Sequence, residues 1–146
     1  MNRENELVQL DTGNVREMLS GSGYSERAIA YYVNKPNMGY LPDADQVTEL
    51  TGECGDTMKV YLKLEGDRIK DAKFQVLGCP GAVAAAMATV DLVRGKTLQE
   101  SLSLNDRDVF CELQEIPHQK LHCIRLAVKT LQKAIADCRE KNGKNQ

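Results

Sequence analysis

Apolar and polar residues alternate most regularly in the middle of the chain, over 58–79. Such alternation is typical of strands that bury one face. The apolar positions are Met58, Val60, Leu62 and Leu64 in a first strand, and Ala72, Phe74 and Val76 in a second. Between the two strands, Gly66 and Asp67 suit a tight turn. The pattern therefore predicts a β-hairpin that ends at Gly78 and Cys79, with a shorter strand before it in VTELTGECGD.

Helix signals precede the hairpin. In YSERAIAYYVNKPNMG, Ser25 is a suitable N-cap and Pro36 a suitable stop. Helical spacing then places Ile29, Tyr32 and Val33 on one side. We predict a helix here whose apolar side packs on the core.

Helix signals also follow the hairpin directly. Pro80 suits the first turn of a helix that stops at Gly95. Thr97 and Glu100 have the spacing of a capping box for a second, short helix, and Asn105 can cap a third. These signals predict three helices in succession after the sheet.

The last long segment, LHCIRLAVKTLQKAIADCREK, has the periodicity of one amphipathic helix. Its predicted inner face comprises Ile124, Ala127, Val128, Leu131, Ile135 and Cys138. Strands come first and most helices later, with hairpin connections between the strands. This order predicts an α+β fold in which helices pack on one face of a small antiparallel three-stranded sheet.

The ends of the chain differ in composition from the middle. Residues 1–23 are polar and finish in SGSG, so we interpret them as an N-terminal extension, either a mobile arm or a small additional helix. Residues 24–140 form the predicted domain, and 141–146 a disordered tail.

Composition narrows the possible functions. The 146 residues carry 19 Lys and Arg against 21 Asp and Glu, and no basic block is present, so nucleic acid is not an expected partner. No apolar run is long enough to span a bilayer, and the N-terminus lacks the apolar core of a signal peptide. We therefore expect a cytoplasmic protein without a membrane partner. In that compartment its five cysteines would be reduced.

Two of the cysteines are interpreted as packing residues. Cys138 continues the apolar side of the last helix, where a free cysteine behaves as a small hydrophobe. Cys111 lies beside Phe110 and Leu113 in a predicted helix and is expected to be partly buried.

The other three cysteines each lie at the end of an element. Cys54 precedes the first strand of the hairpin and Cys79 ends the second, so both fall at one edge of the sheet. If the last helix starts near that edge, Cys123 and His122 join them, and Asp56 adds a carboxylate. Such a set suits a thiophilic metal or an iron–sulfur cluster. The chain has no CxxC pair, however, so spacing alone does not select between these sites.

His122 and Cys123 are adjacent in a predicted helix. Consecutive helical residues point about 100° apart, so the two need not bind the same metal. The same divergence counts against a thiol–imidazole pair for nucleophilic catalysis, and no third orienting group is evident.

Five segments in this order resemble one known family: YSERAIAYYVNKPNMG, ECGDTMKVYLKL, IKDAKFQVLGC, VRGKTLQE and KLHCIRLA. From Tyr24 to about Arg139 the chain is similar to the U-type iron–sulfur cluster scaffolds, which comprise IscU and the N-terminal domain of NifU. The resemblance implies a non-catalytic scaffold. On it, a [2Fe-2S] cluster forms from iron and desulfurase-derived sulfur and then passes to apo-proteins.

The resemblance also implies roles for individual residues. Cys54, Cys79 and Cys123 correspond to the cluster-binding thiols, and Asp56 and His122 to accessory ligands. Cys123 would also accept persulfide sulfur. The implied partners are a cysteine desulfurase, apo iron–sulfur acceptors and an iron donor.

One segment departs from the family pattern. IPHQK stands at 116–120, where these scaffolds commonly carry LPPVK, the segment recognised by an Hsp70-type chaperone. This departure counts against chaperone-dependent release. His118 is interpreted as a solvated loop residue or an alternative ligand. Lys120 is either a surface lysine or a residue at the rim of the site that favours thiolates.

Two alternatives stay open. One is the zinc-dependent sulfur acceptor of a desulfurase, the SufU branch of the same family; its members typically lack the His-Cys pair that this chain has at 122–123. The other is a structural zinc domain, which fits poorly with the small residues around Cys54. Zn2+ or Fe2+ could also occupy the scaffold in its cluster-free form.

Overall fold

A computed structural model describes residues 13–144, and across them the predicted α+β class is confirmed. The strands are β1 (Gln46–Thr51), β2 (Thr57–Glu65) and β3 (Arg68–Leu77), which form one antiparallel sheet in that order. Thr57 pairs with Thr51 on one side and with Leu77 on the other. The end of β1, the start of β2 and the end of β3 therefore share one edge of the sheet, which we call the Thr57 edge.

The predicted hairpin is confirmed, with Gly66 at φ 64° in its turn. One face of the sheet packs on the core. Its fully buried side chains are Met58, Val60, Leu62, Ile69, Ala72 and Phe74, and Leu50, Leu64 and Val76 are half-buried against the same core. The alternation along β2 follows from the pleat, which points successive side chains to opposite faces.

The helices are α1 (13–21), α2 (Glu26–Asn34), α3 (Pro80–Val93), α4 (Leu98–Leu102), α5 (Asp106–Leu113) and α6 (Leu121–Lys144). A short 3-10 helix over His118–Lys120 leads into α6. The predicted caps are confirmed: Ser25 accepts from the Ala28 N–H, and capping boxes begin α4 at Thr97 and α5 at Asn105.

Helices α3 and α6 position the core. α6 packs against β1 and β2, α3 packs against β3, and the two helices contact each other. The six predicted inner-face residues of α6 are all buried, from Ile124 to Cys138. α3 is apolar around most of its circumference, which fits a helix that lies between the sheet, α2 and α6.

The buried side of α2 is rotated from the predicted one. Ile29 is buried as expected, but Ala28 and Tyr31 accompany it, whereas Tyr32 and Val33 are half-buried. The Tyr31 hydroxyl lies 2.8 Å from Asp91 Oδ2 and 2.9 Å from Glu112 Oε1. These polar contacts hold Tyr31 against α3 and α5.

The structure describes only part of the predicted N-terminal extension and C-terminal tail. Within the predicted extension, 13–21 is helical and Leu19 is buried in the core, while residues 1–12 lie outside the described residues. At the other end α6 continues to Lys144, so the predicted boundary at 140 falls inside a helix. The division into extension, domain and tail stays a prediction. Within 13–144, no helix combines the length and the apolar character needed to cross a membrane.

Candidate metal centre

A tight loop at the Thr57 edge presents Cys54 and Asp56. The Gly52 N–H donates to the Asp56 carbonyl at 2.8 Å, and the Gly55 N–H donates back to the Gly52 carbonyl at 3.0 Å. Gly55 has φ 89°, a conformation that glycine adopts without steric cost. The loop therefore returns the chain to β2 within a few residues and leaves both side chains beside the end of β3.

Cys79 lies where β3 gives way to α3. It is the N-cap residue of α3, and Pro80 follows at the first helical position. Pro is favoured there because its missing N–H would be unpaired in any case. Cys79 is therefore half-buried at the positive end of a 14-residue helix.

The start of α6 supplies the remaining residues. His122 and Cys123 lie in its first turn, directly after the 3-10 helix. Cys123 is fully buried, whereas His122 is half-buried. Because α6 packs against α3, β1 and β2, its first turn reaches the Thr57 edge.

Three of the five predicted ligands contact the sulfur of a fourth, Cys123. The Sγ atoms of Cys79 and Cys123 lie 3.5 Å apart. Asp56 Oδ2 lies 3.8 Å from the Cys79 sulfur and 3.9 Å from the Cys123 sulfur. His122 Nε2 lies 3.6 Å from the Cys123 sulfur. Distant parts of the sequence thus meet at one point.

That His122 and Cys123 need not bind the same metal stays a prediction, but the structure brings their ligand atoms close together. The angular separation applies to the Cα–Cβ directions, but the long imidazole side chain folds back to the neighbouring sulfur at 3.6 Å. Ligand atoms of His122, Cys123 and Asp56 all lie within 4.8 Å of one another. The pair can therefore serve one metal ion.

The contact distances fit the donor geometry of a single soft ion. Two thiolates at about 2.3 Å from a tetrahedral zinc lie about 3.8 Å apart, and a thiolate and an imidazole about 3.6 Å apart. The Cys79–Cys123 and Cys123–His122 contacts, at 3.5 and 3.6 Å, are close to these separations. Two sulfurs, one nitrogen and one oxygen donor are suitable for zinc or iron.

Cys54 is placed differently from the other four. It is exposed in its loop, whereas Cys79 is half-buried and Cys123 is buried. With Asp56 and His122 it lines a depression of about 220 Å³, which Arg125 and Lys129 also line. The structure therefore brings Cys54 to the same edge but leaves it outside the contacts that join the others.

The proximity of the two sulfurs changes their acidity. The Cys123 Sγ–H donates to the Cys79 sulfur, and this contact lowers the pKa of Cys79 from 9.0 to about 5. Burial and the Asp56 carboxylate oppose the shift, whereas the Ala82 N–H and the charge of Lys120 add to it. The contact with Cys79, together with burial, raises the pKa of Cys123 far above its usual range. The pair thus loses its first proton readily and retains its second.

Lys120 and Tyr24 border the thiols on the side of α3. A Cβ on Gly81 would lie 3.3 Å from Lys120 Cβ and 3.3 Å from the Tyr24 hydroxyl. Burial raises the pKa of Tyr24 to about 12, together with the nearby charges of Cys79 and Cys123. Sequence reasoning missed Tyr24, because its position just before a helix N-cap carries no chemical signal.

The remaining predicted residues lie away from the centre. Cys138 is buried, as predicted, and burial raises the pKa of its thiol. The prediction for Cys111 is wrong, because this residue is exposed. Val109 and Leu113 are four residues apart and face inward, so Cys111, two residues from each, points to the opposite side of α5. His118 is exposed in the 3-10 helix.

Sequence comparison agrees with this arrangement. The profile of the family described as "NifU-like N terminal domain" matches residues 23–145. The chain belongs to this family. The match includes all five predicted ligands and begins one residue before the predicted domain.

Curated relatives give the same result over most of the chain. An iron-sulfur cluster assembly scaffold protein IscU of Archaeoglobus fulgidus is 40% identical over 123 residues, which cover 83% of this chain and 80% of the relative. The scaffold protein IscU of Aquifex aeolicus is 37% identical over 124 residues, 83% and 79% of the two chains. A Drosophila melanogaster relative named an iron-sulfur cluster assembly enzyme IscU is 38% identical over 127 residues, which cover 83% of this chain and 81% of the relative.

Solved structures confirm the fold of the NifU-like chain. A putative iron-sulfur cluster assembly scaffold protein for the SUF system from Fervidobacterium islandicum superposes with TM-score 0.64 at 25% identity, over 77% of this chain and 96% of that one. The N-terminal part of a NifU-like protein from Brucella abortus gives TM-score 0.65 at 20% identity, over 80% and 94%. The second likeness bears on the fold alone.

Proposed function

We propose that this protein is a non-catalytic scaffold on which a [2Fe-2S] cluster is assembled and from which it passes to apo-proteins. The observation that carries the proposal is the contact of two thiols at 3.5 Å, with one carboxylate oxygen within 3.9 Å of both. The relatives named as scaffolds support the same reading. The cluster is the cargo of the protein rather than a resident cofactor.

Within this proposal, Cys54, Cys79 and Cys123 are the thiolate ligands, with Asp56 and His122 as accessory ligands. Cys54 stands in a loop of small residues at the exposed side of the centre. We propose that it completes the ligand set once iron is bound, because its loop can close over the depression that it lines. A carboxylate is a harder donor than a thiolate, so an iron held by Asp56 is released more readily.

Cys123 is the proposed acceptor of sulfur. Cys123 first gives its proton to the neighbouring Cys79 thiolate, 3.5 Å away. The Cys123 thiolate then attacks the outer sulfur of a persulfide on the desulfurase, a new S–S bond forms, and the desulfurase thiolate leaves. Freeing sulfide from the Cys123 persulfide then takes two electrons from a reductant. In the resting structure Cys123 is fully buried. Sulfur transfer to it therefore requires a conformational change that exposes its sulfur.

The proposed partners are a cysteine desulfurase, an electron donor, an iron donor and apo iron–sulfur acceptors, in the cytoplasm. All five cysteines are unpaired, which fits a reducing compartment. An Hsp70-type chaperone is a weaker candidate partner, because IPHQK replaces the usual LPPVK at 116–120.

One specific observation favours a second candidate, the zinc-dependent sulfur acceptor of the SufU type. Ligand atoms of Asp56, His122 and Cys123 already lie within 4.8 Å of one another, close enough to share one ion, and the Cys79 sulfur lies 3.5 Å from that of Cys123. Zn2+ or Fe2+ held there is also the proposed cluster-free state of the scaffold. The two candidates differ in what sulfur does next.

Anaerobic incubation with a cysteine desulfurase, cysteine, Fe2+ and a thiol reductant tests the proposal. The scaffold should gain visible absorption and equal amounts of iron and sulfide, and should lose both to apo-ferredoxin on mixing. A protein that retains zinc, stimulates the desulfurase and assembles no cluster would instead be the sulfur acceptor.

A further inference from the structure

Asp56 and Gly78 face each other across β2 and β3. Thr57 pairs with Leu77 at the end of the antiparallel ladder. The residues one step further along, Asp56 and Gly78, are therefore opposite neighbours. Side chains at such positions have Cβ atoms about 4.5–5.5 Å apart and compete for the same space.

The space beside Gly78 is filled by the Asp56 carboxyl group. A Cβ on Gly78 would lie 2.8 Å from Asp56 Cγ, 3.0 Å from Asp56 Oδ1 and 3.1 Å from the Ala82 Cβ. Non-bonded carbon atoms prefer a separation of about 3.5–4.0 Å, so these contacts are repulsive. One carboxylate oxygen thus lies against Gly78, while the other, Oδ2, faces the sulfurs of Cys79 and Cys123.

Glycine is not required here by the backbone. Gly78 does not belong to the glycines with positive φ, in contrast to Gly55 in the neighbouring loop. Its backbone is therefore outside the left-handed region that favours glycine. What distinguishes glycine at this position is the missing Cβ.

We propose that Gly78 is a positioning residue of the metal centre: its lack of a side chain is what allows the Asp56 carboxylate to lie against the Cys79 and Cys123 sulfurs. The claim that a side chain at position 78 would displace the Asp56 carboxylate depends only on the contacts given above. The consequence for metal binding rests on the proposed function. With alanine at 78, the carboxylate must rotate away. The centre then keeps its thiols and loses its hard donor.

A double-mutant cycle on the metal-free, full-length protein tests the steric claim. The melting temperature of Gly78→Ala should fall, and the fall should be smaller when Asp56→Ala is also present, because the clash with the carboxyl group is then gone and only the contact with Ala82 remains. If Gly78→Ala lowered the melting temperature by the same amount in the wild-type and Asp56→Ala backgrounds, the proposal would be overturned. If Gly78→Ala does not fold at all, Asp56→Gly with Gly78→Ala should fold; failure of both would also overturn it.

Cobalt(II) titration under anaerobic conditions tests the consequence, with the visible absorption of the bound ion as the readout. Gly78→Ala should bind Co2+ about 10- to 100-fold more weakly, the usual range for residues that orient ligands. In the Asp56→Ala background, Gly78→Ala should cause no further loss of Co2+ affinity. Wild-type affinity in Gly78→Ala, or the same loss on both backgrounds, would contradict the proposal.

Two other glycines provide matched controls. A Cβ on Gly21 meets nothing within 4 Å, so Gly21→Ala should leave both readouts unchanged. A Cβ on Gly81 meets Lys120 and Tyr24 rather than Asp56, so any effect of Gly81→Ala should be the same with and without Asp56. A Gly81→Ala effect that depends on Asp56 would overturn the assignment. If the wild type binds no Co2+, the proposed function fails, and the melting cycle still decides the steric proposal.

Discussion

The sulfur of Cys79 lies 3.5 Å from the sulfur of Cys123, although 44 residues separate them in the chain. Two elements create this contact: α3 begins at the end of β3 with Cys79 as its cap, and the first turn of α6 packs beside it. Asp56 joins them from the loop that precedes β2. The chemistry of the site thus depends on three chain segments meeting at the Thr57 edge.

Asp56→Ala should slow cluster transfer to apo-ferredoxin while cluster occupancy stays the same or increases. The carboxylate is the hardest donor in contact with both sulfurs, so its removal leaves the iron with softer and less easily displaced ligands. The decay of scaffold absorption after mixing measures the rate. Faster loss from the variant would show that Asp56 retains the cluster rather than releasing it.

Cys111→Ser and Cys138→Ala should both leave cluster assembly nearly intact. Cys111 is exposed on α5 and Cys138 is buried on the inner face of α6, away from the centre. Cys138→Ala should lower the free energy of unfolding by roughly 1 kcal/mol, typical for a small core truncation, whereas Cys111→Ser should change it by less than about 0.5 kcal/mol. Denaturant unfolding and reconstitution of each variant provide the check. Loss of cluster absorption in either variant would mean that the ligands are assigned wrongly.

In the metal-free protein, Cys79 should be alkylated by iodoacetamide much faster than Cys123 at neutral pH. The pKa of Cys79 is lowered to about 5, so the thiolate persists as the pH falls and is lost only below that value. Cys123 retains its proton and is buried. Mass spectrometry of peptides labelled between pH 4 and pH 8 resolves the two sites.

Lys120→Gln is the matched test of that assignment. Removing the positive charge should raise the pKa of Cys79, so its alkylation rate should begin to fall at a higher pH than in the wild type. The exposed Cys111 should react equally in both proteins and serves as the internal control. An unchanged profile for Cys79 would exclude Lys120 as a source of thiolate stabilisation.

The sequence predicts the architecture well because its signals are local. Alternation identifies β2 and β3, while Ser25, Thr97 and Asn105 identify helix starts through side-chain caps. The placement of Cys54 and Cys79 at one edge also follows from antiparallel order alone. Cys123 joins them because α6 starts beside that edge, which strand order does not encode.

Other features depend on tertiary contacts, which periodicity does not encode. The His122 imidazole folds back to Cys123 through its own side-chain rotation. Cys111 faces solvent because α5 is anchored by Val109 and Leu113. The role of Gly78 arises from what lies opposite it, and a single glycine in a sequence carries no record of that neighbour.

Mössbauer spectroscopy of the protein reconstituted with ⁵⁷Fe tests the central claim most directly, because it reports the ligands of each iron separately. If the thiols and the Asp56–His122 side of the centre share one two-iron cluster, the spectrum should show two doublets of equal area, one from an all-sulfur iron and one from an iron with an oxygen or nitrogen ligand. A single doublet from two equivalent all-sulfur irons, or iron bound without sulfide, would contradict this account.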